Sequence, residues 1–191
     1  MTDWQEKLTL IFNSKVSLKE EEISALLNDW NRSVELKRND FLIKKGQTES
    51  SLFFVLSGSM RIYFPNKEDE ICVGFGHPSN LVCSYPSFIR NEPSDYYIQA
   101  LVKTELMAIS KDAFYALFDT YRNIERAWRM LEEEALMGKI EREVEMLTFT
   151  PEERYNRLIK RSPHIFQNIP RKYIASYLRM TPETLSRIRP L

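Results

Sequence analysis

Residues 34–109 constrain the fold more than any other part of the chain. They contain six short runs rich in β-branched and aromatic residues, which are typical of strands. Turn signals separate the runs, for example Lys45-Gly46-Gln47 and Ser57-Gly58. Many short strands at this spacing predict a compact antiparallel sandwich or roll. The runs are 41–43, 52–56, 60–64, 71–73, 96–98 and 105–109.

Helical periodicity flanks this stretch on both sides. Residues 2–30 space their apolar side chains at helical intervals, and Ser110 predicts the N-cap of another helix. A long amphipathic segment follows at about 122–148, and Pro151 ends it. At the usual rise per residue this helix is roughly 40 Å long, so it extends beyond a small roll.

The apolar stripe of the long helix needs a partner. The stripe drifts from a strict heptad and Gly138 weakens its middle, so we expect a short helix pairing between two copies. The alternative is burial against the roll of the same chain, and both can hold for different turns. The predicted dimer-interface residues are Ile124, Trp128, Leu131 and Ala135.

Residues 170–191 predict two short helices joined by a tight turn. In the second helix Thr181 is an N-cap, Pro182 occupies the first turn and Glu183 places a carboxylate at the positive end of the helix dipole. Apolar residues of both helices share a face, which leaves Glu183, Ser186, Arg187 and Arg189 outside. Such a face can reach base edges in DNA. Alternatively, Glu183 and Arg187 form an ordinary i,i+4 ion pair.

The charge distribution favours the DNA interpretation. The net charge of the whole chain is zero, but residues 154–191 carry nine basic residues and one acid, and residues 1–153 carry 18 basic and 26 acidic residues. A basic end on an acidic body suits a protein that contacts phosphates with that end only. A chance surplus of solvated Lys and Arg is the alternative.

The composition indicates one medium domain and one small domain. The 191 residues are 43% hydrophobic, enough for a sizeable core, and no run is long enough to span a membrane. The N-terminus lacks a signal pattern, so we expect a cytoplasmic protein without a membrane partner. Cys72 and Cys83 are expected to be core thiols, with a redox pair as the alternative, and neither His77 nor His164 has a second ligand nearby in sequence. We therefore predict no metal site, cofactor or catalytic residue, and an enzyme is only a third hypothesis.

The order of helices, roll, long helix and helix pair resembles the Crp/Fnr family of bacterial transcription regulators. The segment Phe41-Leu-Ile-Lys-Lys-Gly-Gln and the later Gly58-Ser59 are similar to strands and a turn of that family's roll. Ile174-Ala-Ser-Tyr-Leu and Pro182-Glu-Thr-Leu-Ser-Arg-Ile are similar to its helix-turn-helix. The resemblance implies an α+β fold: an antiparallel β-roll (a double-stranded β-helix, cyclic-nucleotide-binding-like) with flanking helices over 1–121, a dimerisation helix over 122–148, and a helix-turn-helix domain over 149–191.

The resemblance also implies a function, a dimeric sequence-specific DNA-binding transcription regulator. Its partners would be double-stranded DNA and a second copy, and whether RNA polymerase is a further partner stays open. Pro182 stands where the family has a base-contacting arginine, Arg179 stands at a turn position often held by glycine, and the family's closing hairpin does not follow, so we expect modest DNA affinity. The expected DNA-binding residues are Arg171, Lys172, Thr181, Glu183, Thr184, Ser186, Arg187 and Arg189.

The roll is expected to sense an unidentified small molecule or to have lost sensing. Cyclic-AMP binders of the family use a Gly-Glu pair and an Arg-Ser pair, whereas the matching positions here are Val82-Cys83 or nearby and Ser94-Asp95. The phosphate-neutralising arginine is missing unless Arg90 replaces it, so we expect no cAMP binding. The candidate pocket residues are Val82, Cys83, Ser84, Tyr85, Arg90, Asp95 and Tyr96. A ligand-binding or protein-interaction module with a vestigial DNA reader is the alternative function.

Overall fold

The computed structural model describes residues 1–67 and 69–188. Two helices, α1 (Asp3–Asn13) and α2 (Glu20–Asn28), precede the strands. The strands are β1 (Arg32–Leu36), β2 (Phe41–Ile43), β3 (Ser51–Ser57), β4 (Met60–Asn66), β5 (Asp69–Gly76), β6 (Leu81–Val82), β7 (Tyr97–Ala100) and β8 (Thr104–Ser110). The remaining helices are α3 (Tyr85–Arg90), α4 (Lys111–Thr120), α5 (Arg122–Thr148), α6 (Pro151–Arg161), α7 (Ile165–Asn168), α8 (Arg171–Tyr177) and α9 (Pro182–Arg187).

The strands form two four-stranded antiparallel sheets, which confirms the predicted β-roll. One sheet has the order β1-β8-β3-β6, and the other has the order β2-β7-β4-β5. Alternate residues of facing strands, including Val55, Met60, Ile98 and Leu106, point between the sheets and are fully buried there. The interior of the roll is therefore filled by its own side chains.

Gly58 makes the turn between β3 and β4 possible. Its φ is +92°, in the region that side chains rarely adopt, and a Cβ atom there would collide with the Thr104 hydroxyl and the Lys103 carbonyl. The backbone conformation and the lack of space for a Cβ atom therefore explain the glycine of the Gly58-Ser59 turn.

A helical layer covers the outer face of the first sheet. Phe12 of α1, Phe114 of α4 and Ile124 of α5 are fully buried against Leu52 and Phe54 of β3. Ser110 caps α4 as predicted, because its hydroxyl accepts a hydrogen bond from the Ala113 amide at 3.2 Å.

The long helix spans 27 residues with the predicted bounds, but its two halves have different surroundings. Ile124 is fully buried, Trp128 stacks on Phe12 with ring centroids 6.5 Å apart, and Leu131 packs against the same core. These three side chains contact the core of their own chain, and Ile124 is fully buried there; Trp128 and Leu131 are partly exposed, and the assignment of Ile124, Trp128, Leu131 and Ala135 to a dimer interface stays a prediction. Ala135 is exposed at the start of the free half. The apolar side chains exposed beyond it are Leu136, Met137, Ile140, Val144 and Leu147.

The C-terminal module, residues 151–188, has its own apolar core. Tyr155 and Leu158 of α6 pack with Ile174 and Leu178 of the α8 region and with Leu185 of α9. Pro151 both follows the long helix and opens α6, where Thr150 is the N-cap. None of the helices in the described part of the chain is long and apolar enough to cross a membrane.

Candidate functional site

Helices α8 and α9 form the predicted helix-turn-helix, called the reader below. Leu185 of α9 is 1% exposed and packs on the fully buried Ile174 of α8, so the apolar faces meet as expected. The Thr181 hydroxyl accepts a hydrogen bond from the Thr184 amide at 3.2 Å, which confirms Thr181 as the N-cap. Arg179 has a φ of +55° in the turn between the helices. That conformation explains why glycine suits this position.

The outer face of α9 presents three side chains to solvent. Glu183, Ser186 and Arg187 are all exposed, and the Ser186 hydroxyl donates to the Glu183 carbonyl at 2.7 Å. The described residues contain no Glu183–Arg187 salt bridge within 4 Å. Hydrogen bonds from its own amide and from Thr181 hold the pKa of the Glu183 carboxyl below its usual value. An ionised acceptor and a free guanidinium are therefore available together on one face, as recognition of base edges requires.

The other predicted DNA residues have mixed surroundings. Arg171 is exposed and its guanidinium reaches the Leu185 carbonyl at 3.5 Å, at the end of α9. Lys172 is exposed, and its ammonium lies 4.8 Å from the centroid of the Tyr173 ring. The half-buried Thr184 lies against Thr181, with 3.2 Å between the two hydroxyls. Arg189 lies outside the described residues.

Two arginines outside the reader hold its turn in place. Arg142 of α5 donates to the Tyr177 carbonyl at 2.9 Å, and its guanidinium carbon lies 4.3 Å from the Tyr177 ring centroid. Arg154 of α6 is 8% exposed and donates to the Arg179 carbonyl at 3.4 Å. These contacts fix the end of α8 and the left-handed turn residue to the long helix and to α6. Sequence reasoning missed both, because no local pattern connects a helix arginine with a distant carbonyl.

A buried carboxylate neutralises part of the basic C-terminal surplus. Glu145 of α5 is 2% exposed and accepts hydrogen bonds from Arg157 at 2.8 Å and from Arg161 at 3.3 Å. Together with the buried Arg154, three of the nine basic residues therefore make intramolecular polar contacts, although Arg157 and Arg161 stay partly exposed. The charge surplus counted from the sequence overstates the charge that is free to meet phosphates.

The candidate effector-pocket residues have different surroundings, and their role stays a prediction. Val82 is buried in the roll, Cys83 packs against the helical core, and Arg90 and Asp95 are exposed. Tyr85 is 39% exposed. Burial and the carboxylate of Glu132 raise the pKa of the Tyr85 hydroxyl. Tyr96 packs edge-on against Phe64. None of the seven candidates lines the groove between the second sheet and the reader, or the groove beside β1 and the start of α4.

Backbone hydrogen bonds hold Ser94, which with Asp95 matches the position of the family's phosphate-binding pair in the sequence. The Ser94 amide donates to the Gln47 carbonyl, and the Gly46 amide donates to the Ser94 carbonyl, each at 2.8 Å. The buried Ser84 and Ser94 hydroxyls are 2.7 Å apart and hydrogen-bond each other. Ser94 thus satisfies its polar atoms within the protein.

A buried carboxyl group lies next to this segment. Glu49 is 5% exposed, and its amide donates to the Ser87 hydroxyl of α3 at 2.9 Å. Burial raises the pKa of the Glu49 carboxyl, although the Ser51, Ser84 and Ser50 backbone oppose the shift. An ionised carboxylate at this place would repel a bound phosphate.

The only two histidines of the chain, 87 positions apart, meet where the roll contacts the C-terminal module. The rings of His77 and His164 are edge to face with centroids 4.2 Å apart. Burial, and secondarily the charge of His164, lowers the pKa of His77. The described residues contain no cluster of three or more His, Cys, Asp or Glu side chains suited to a metal.

Residues 33–121 match the family model described as the cyclic nucleotide-binding domain. This match runs through the strands of the roll to the end of α4 and covers just under half of the chain. Among curated protein sequences, none matches the chain.

Several solved structures share the fold over most of the chain. FixK2 from Bradyrhizobium japonicum is 16% identical, with a TM-score of 0.68 over 82% of this chain and 81% of that chain. The c-di-GMP responsive global regulator CLP of Xanthomonas campestris is 18% identical, with a TM-score of 0.65 over 88% and 89%. The catabolite activator protein of Thermus thermophilus is 20% identical, with a TM-score of 0.57 over 90% and 82%. At these identities the similarity establishes the shared fold, and it confirms the predicted arrangement of an antiparallel β-roll, a long helix and C-terminal helices.

Proposed function

We propose that this protein is a sequence-specific DNA-binding transcription regulator that acts as a homodimer and responds to a small molecule other than cAMP. One observation carries the proposal: a capped helix exposes Glu183, Ser186 and Arg187 on one face while its opposite face is packed by Leu185. Side chains arranged in this way can enter a major groove and contact base edges. The named regulators with the same fold support the proposal.

The exposed half of α5 is the proposed dimer surface. Leu136, Ile140, Val144 and Leu147 are 59%, 46%, 48% and 77% exposed and recur at helical spacing. A second copy of the same helix offers a matching apolar stripe, as a two-fold interface requires. Two readers related in this way would favour a pseudo-palindromic site with half-sites about 34 Å apart.

Duplex binding is the decisive test. Selection from random duplexes with the full chain should enrich a pseudo-palindrome, and affinity should fall steeply with salt as counterions are released. Arg187→Ala should cost roughly 1–3 kcal/mol on the enriched site and relax the preference at one position, because it removes a base contact. Lys172→Ala should weaken all duplexes by a similar factor, because it removes a phosphate contact.

The same experiment separates the two candidate functions. A ligand-binding or protein-interaction module with a vestigial reader would show no enriched motif and little salt dependence. If selection at low salt enriches no motif, or if Arg187→Ala binds the enriched site unchanged, the reader assignment has to be abandoned. No catalytic activity is proposed.

A further inference from the structure

The roll contacts the C-terminal module mainly through β5. The Phe75 ring of β5 packs against the apolar core of the module, and its centroid lies 5.2 Å from that of the Tyr177 ring. On the same strand, the Cys72 amide donates to the Ser176 hydroxyl of α8 at 3.0 Å. Leu101, between β7 and β8, is 7% exposed in the same core. These contacts dock the module on the roll.

Two histidines, called the histidine pair below, extend this contact. His77 follows β5 and His164 precedes α7, and their rings are edge to face with an interplanar angle of 72°. The His77 amide donates to the Asn80 side-chain oxygen at 3.2 Å, and the His77 ring Nδ1 lies 3.2 Å from the Pro78 carbonyl oxygen. The His164 Nε2 atom is buried and has no hydrogen-bond partner among the described residues.

Neutral rings suit this arrangement better than protonated rings. In neutral His77 an Nδ1–H can donate to the Pro78 carbonyl. Protonation of His164 would make both of its ring nitrogens donors, and the buried Nε2–H would then need an acceptor that its surroundings do not supply. Protonation of both rings would place two positive charges side by side.

The two segments that meet here are otherwise uncharged. Residues 71–89 of the roll contain no Asp, Glu, Lys or Arg, and neither do residues 162–170 of the module. Within the described residues, neither histidine forms a salt bridge within 4 Å. A proton on either ring would therefore lack a compensating carboxylate from these segments.

The charged side chains that flank these segments have partners of their own. Arg161, at the end of α6, is paired with the buried Glu145 of α5. Lys103, which follows Leu101 between β7 and β8, is paired with Glu35 and Glu105. Among the described side chains, His164 is the only one whose charge shifts the pKa of His77.

We propose that the histidine pair makes the docking of the C-terminal module on the roll sensitive to pH, with docking favoured while both rings are neutral and weakened when they are protonated. Burial, and secondarily the charge of His164, lowers the pKa of His77 below its ordinary 6.5. The undocked protein therefore binds more protons than the docked protein, so docking weakens as the pH falls from 6.5 toward the folded pKa. The inference goes beyond the proposed function, and only its effect on DNA binding rests on that function.

Hydrogen exchange measures the docking without DNA. The Cys72 amide of the full chain is the reporter, because its acceptor, the Ser176 hydroxyl, belongs to the module. The Lys111 amide is the internal control, since it donates to the Ser50 carbonyl at 2.9 Å, away from the module. After correction for intrinsic exchange, the protection factor of Cys72 should fall about threefold more than that of Lys111 between pH 7 and pH 5. Equal changes at the two amides would overturn the proposal.

A proton NMR titration follows the two rings directly. The chain has only two histidines, so the wild-type protein gives two ring Cε1–H signals, and the His77 signal is the one absent from His77→Phe. The His77 signal should titrate below its ordinary 6.5. A His77 midpoint at or above 6.5 would contradict the proposed preference of the docked state for neutral rings.

Phenylalanine substitutions test whether the histidines cause the loss of docking. His77→Phe and His164→Phe keep an aromatic ring in the contact but cannot be protonated, so each should reduce the pH response of Cys72 protection about twofold, and the double variant should abolish it. Glu49→Gln is the matched control: Glu49 is a buried group of the roll whose pKa is raised from its ordinary 4.5, and its replacement should leave the response unchanged. A wild-type response in the double variant would refute the role of the histidines.

Duplex binding tests the consequence for the regulator. Two readers match half-sites at a fixed spacing only while each reader is held in place, so loss of docking should lower the ratio of the affinities for the enriched and random duplexes. From pH 7 to pH 5 this ratio should fall about threefold more in the wild type than in the double variant.

The outcomes separate the two proposals. A docking contact that responds to pH in a protein without duplex binding would refute the proposed function alone. Duplex binding with docking that does not depend on pH would refute the histidine inference alone. If docking depends on pH but the ratio of duplex affinities does not change, the effect on DNA binding is refuted.

Discussion

Ile140→Glu should convert the proposed dimer into a monomer without unfolding the chain. Ile140 is 46% exposed in the middle of the free apolar stripe, so roughly half of its burial energy remains to be gained from a partner. Full burial of an isoleucine contributes about 1.5–3 kcal/mol, so the substitution removes about 1 kcal/mol per copy. Each copy also places a carboxylate in the apolar contact, at a cost of at least about 1 kcal/mol. Over two copies the total is about 4 kcal/mol, which corresponds to a dimer roughly a thousandfold weaker.

Sedimentation equilibrium over a concentration series measures this change directly. Leu10→Glu is the matched control: Leu10 is 66% exposed on α1, so the same chemical change there should leave both assembly and fold intact. Leu131→Glu should instead lower the melting temperature, because Leu131 packs against the core of its own chain. A wild-type protein that sediments as a monomer at all concentrations, or an Ile140→Glu dimer of unchanged affinity, would refute the assignment of the stripe.

Three further predictions concern the reader, the domain contact and the roll. Arg154→Met should weaken binding to the preferred duplex more than binding to random duplexes, because the Arg179 carbonyl loses a charged donor worth roughly 1.5–3 kcal/mol. Anisotropy titrations with both kinds of duplex measure the two losses. Equal losses would contradict the prediction. The pKa of His77 is lowered from its ordinary 6.5, so the unfolded chain binds more protons and stability falls as the pH drops through 6.5 toward the folded pKa. Urea unfolding of wild type and His77→Phe should show the smaller loss between pH 7 and pH 5 in the variant. Calorimetry should detect no cAMP binding tighter than roughly millimolar, a free energy near −4 kcal/mol, and micromolar affinity would show that the roll does hold the nucleotide.

Local signals in the sequence predicted local structure well. Thr181 and Ser110 cap the helices expected of them, and α5 has the predicted bounds, because capping and amphipathic periodicity depend on residues within one or two turns. The two-residue strand β6 was missed because it is defined by its pairing with Phe53 and Phe54, far away in sequence. Helix α3, six residues long, is likewise too short to show periodicity.

The dimer surface shows why periodicity alone cannot name a partner. The apolar stripe of α5 continues from Ile124 to Leu147, and any apolar surface satisfies it equally. Packing by Phe12 and Phe114 decides that the first half belongs to the chain's own core. The sequence shows the whole apolar stripe, but it does not show where along α5 the stripe stops packing against its own chain.

The long helix contacts the reader through polar side chains. In the sequence these side chains are indistinguishable from those of an ordinary solvent-exposed helix face. Arg142 and Glu145 are one helical turn apart on α5, and one binds the Tyr177 carbonyl while the other binds Arg157 and Arg161 of α6. Both lie in the same half of α5 as the exposed apolar side chains Ile140 and Val144. A second copy packed on this half, as proposed, would contact the helix that holds the reader turn, so we expect dimerisation to affect the orientation of the reader. The roll makes a separate contact with the same reader, because the Cys72 amide donates to the Ser176 hydroxyl and the Arg61 guanidinium lies over the Tyr173 ring. The long helix and the roll thus both contact α8, and α8 supports α9 and its exposed Arg187 through the packing of Leu185 on Ile174.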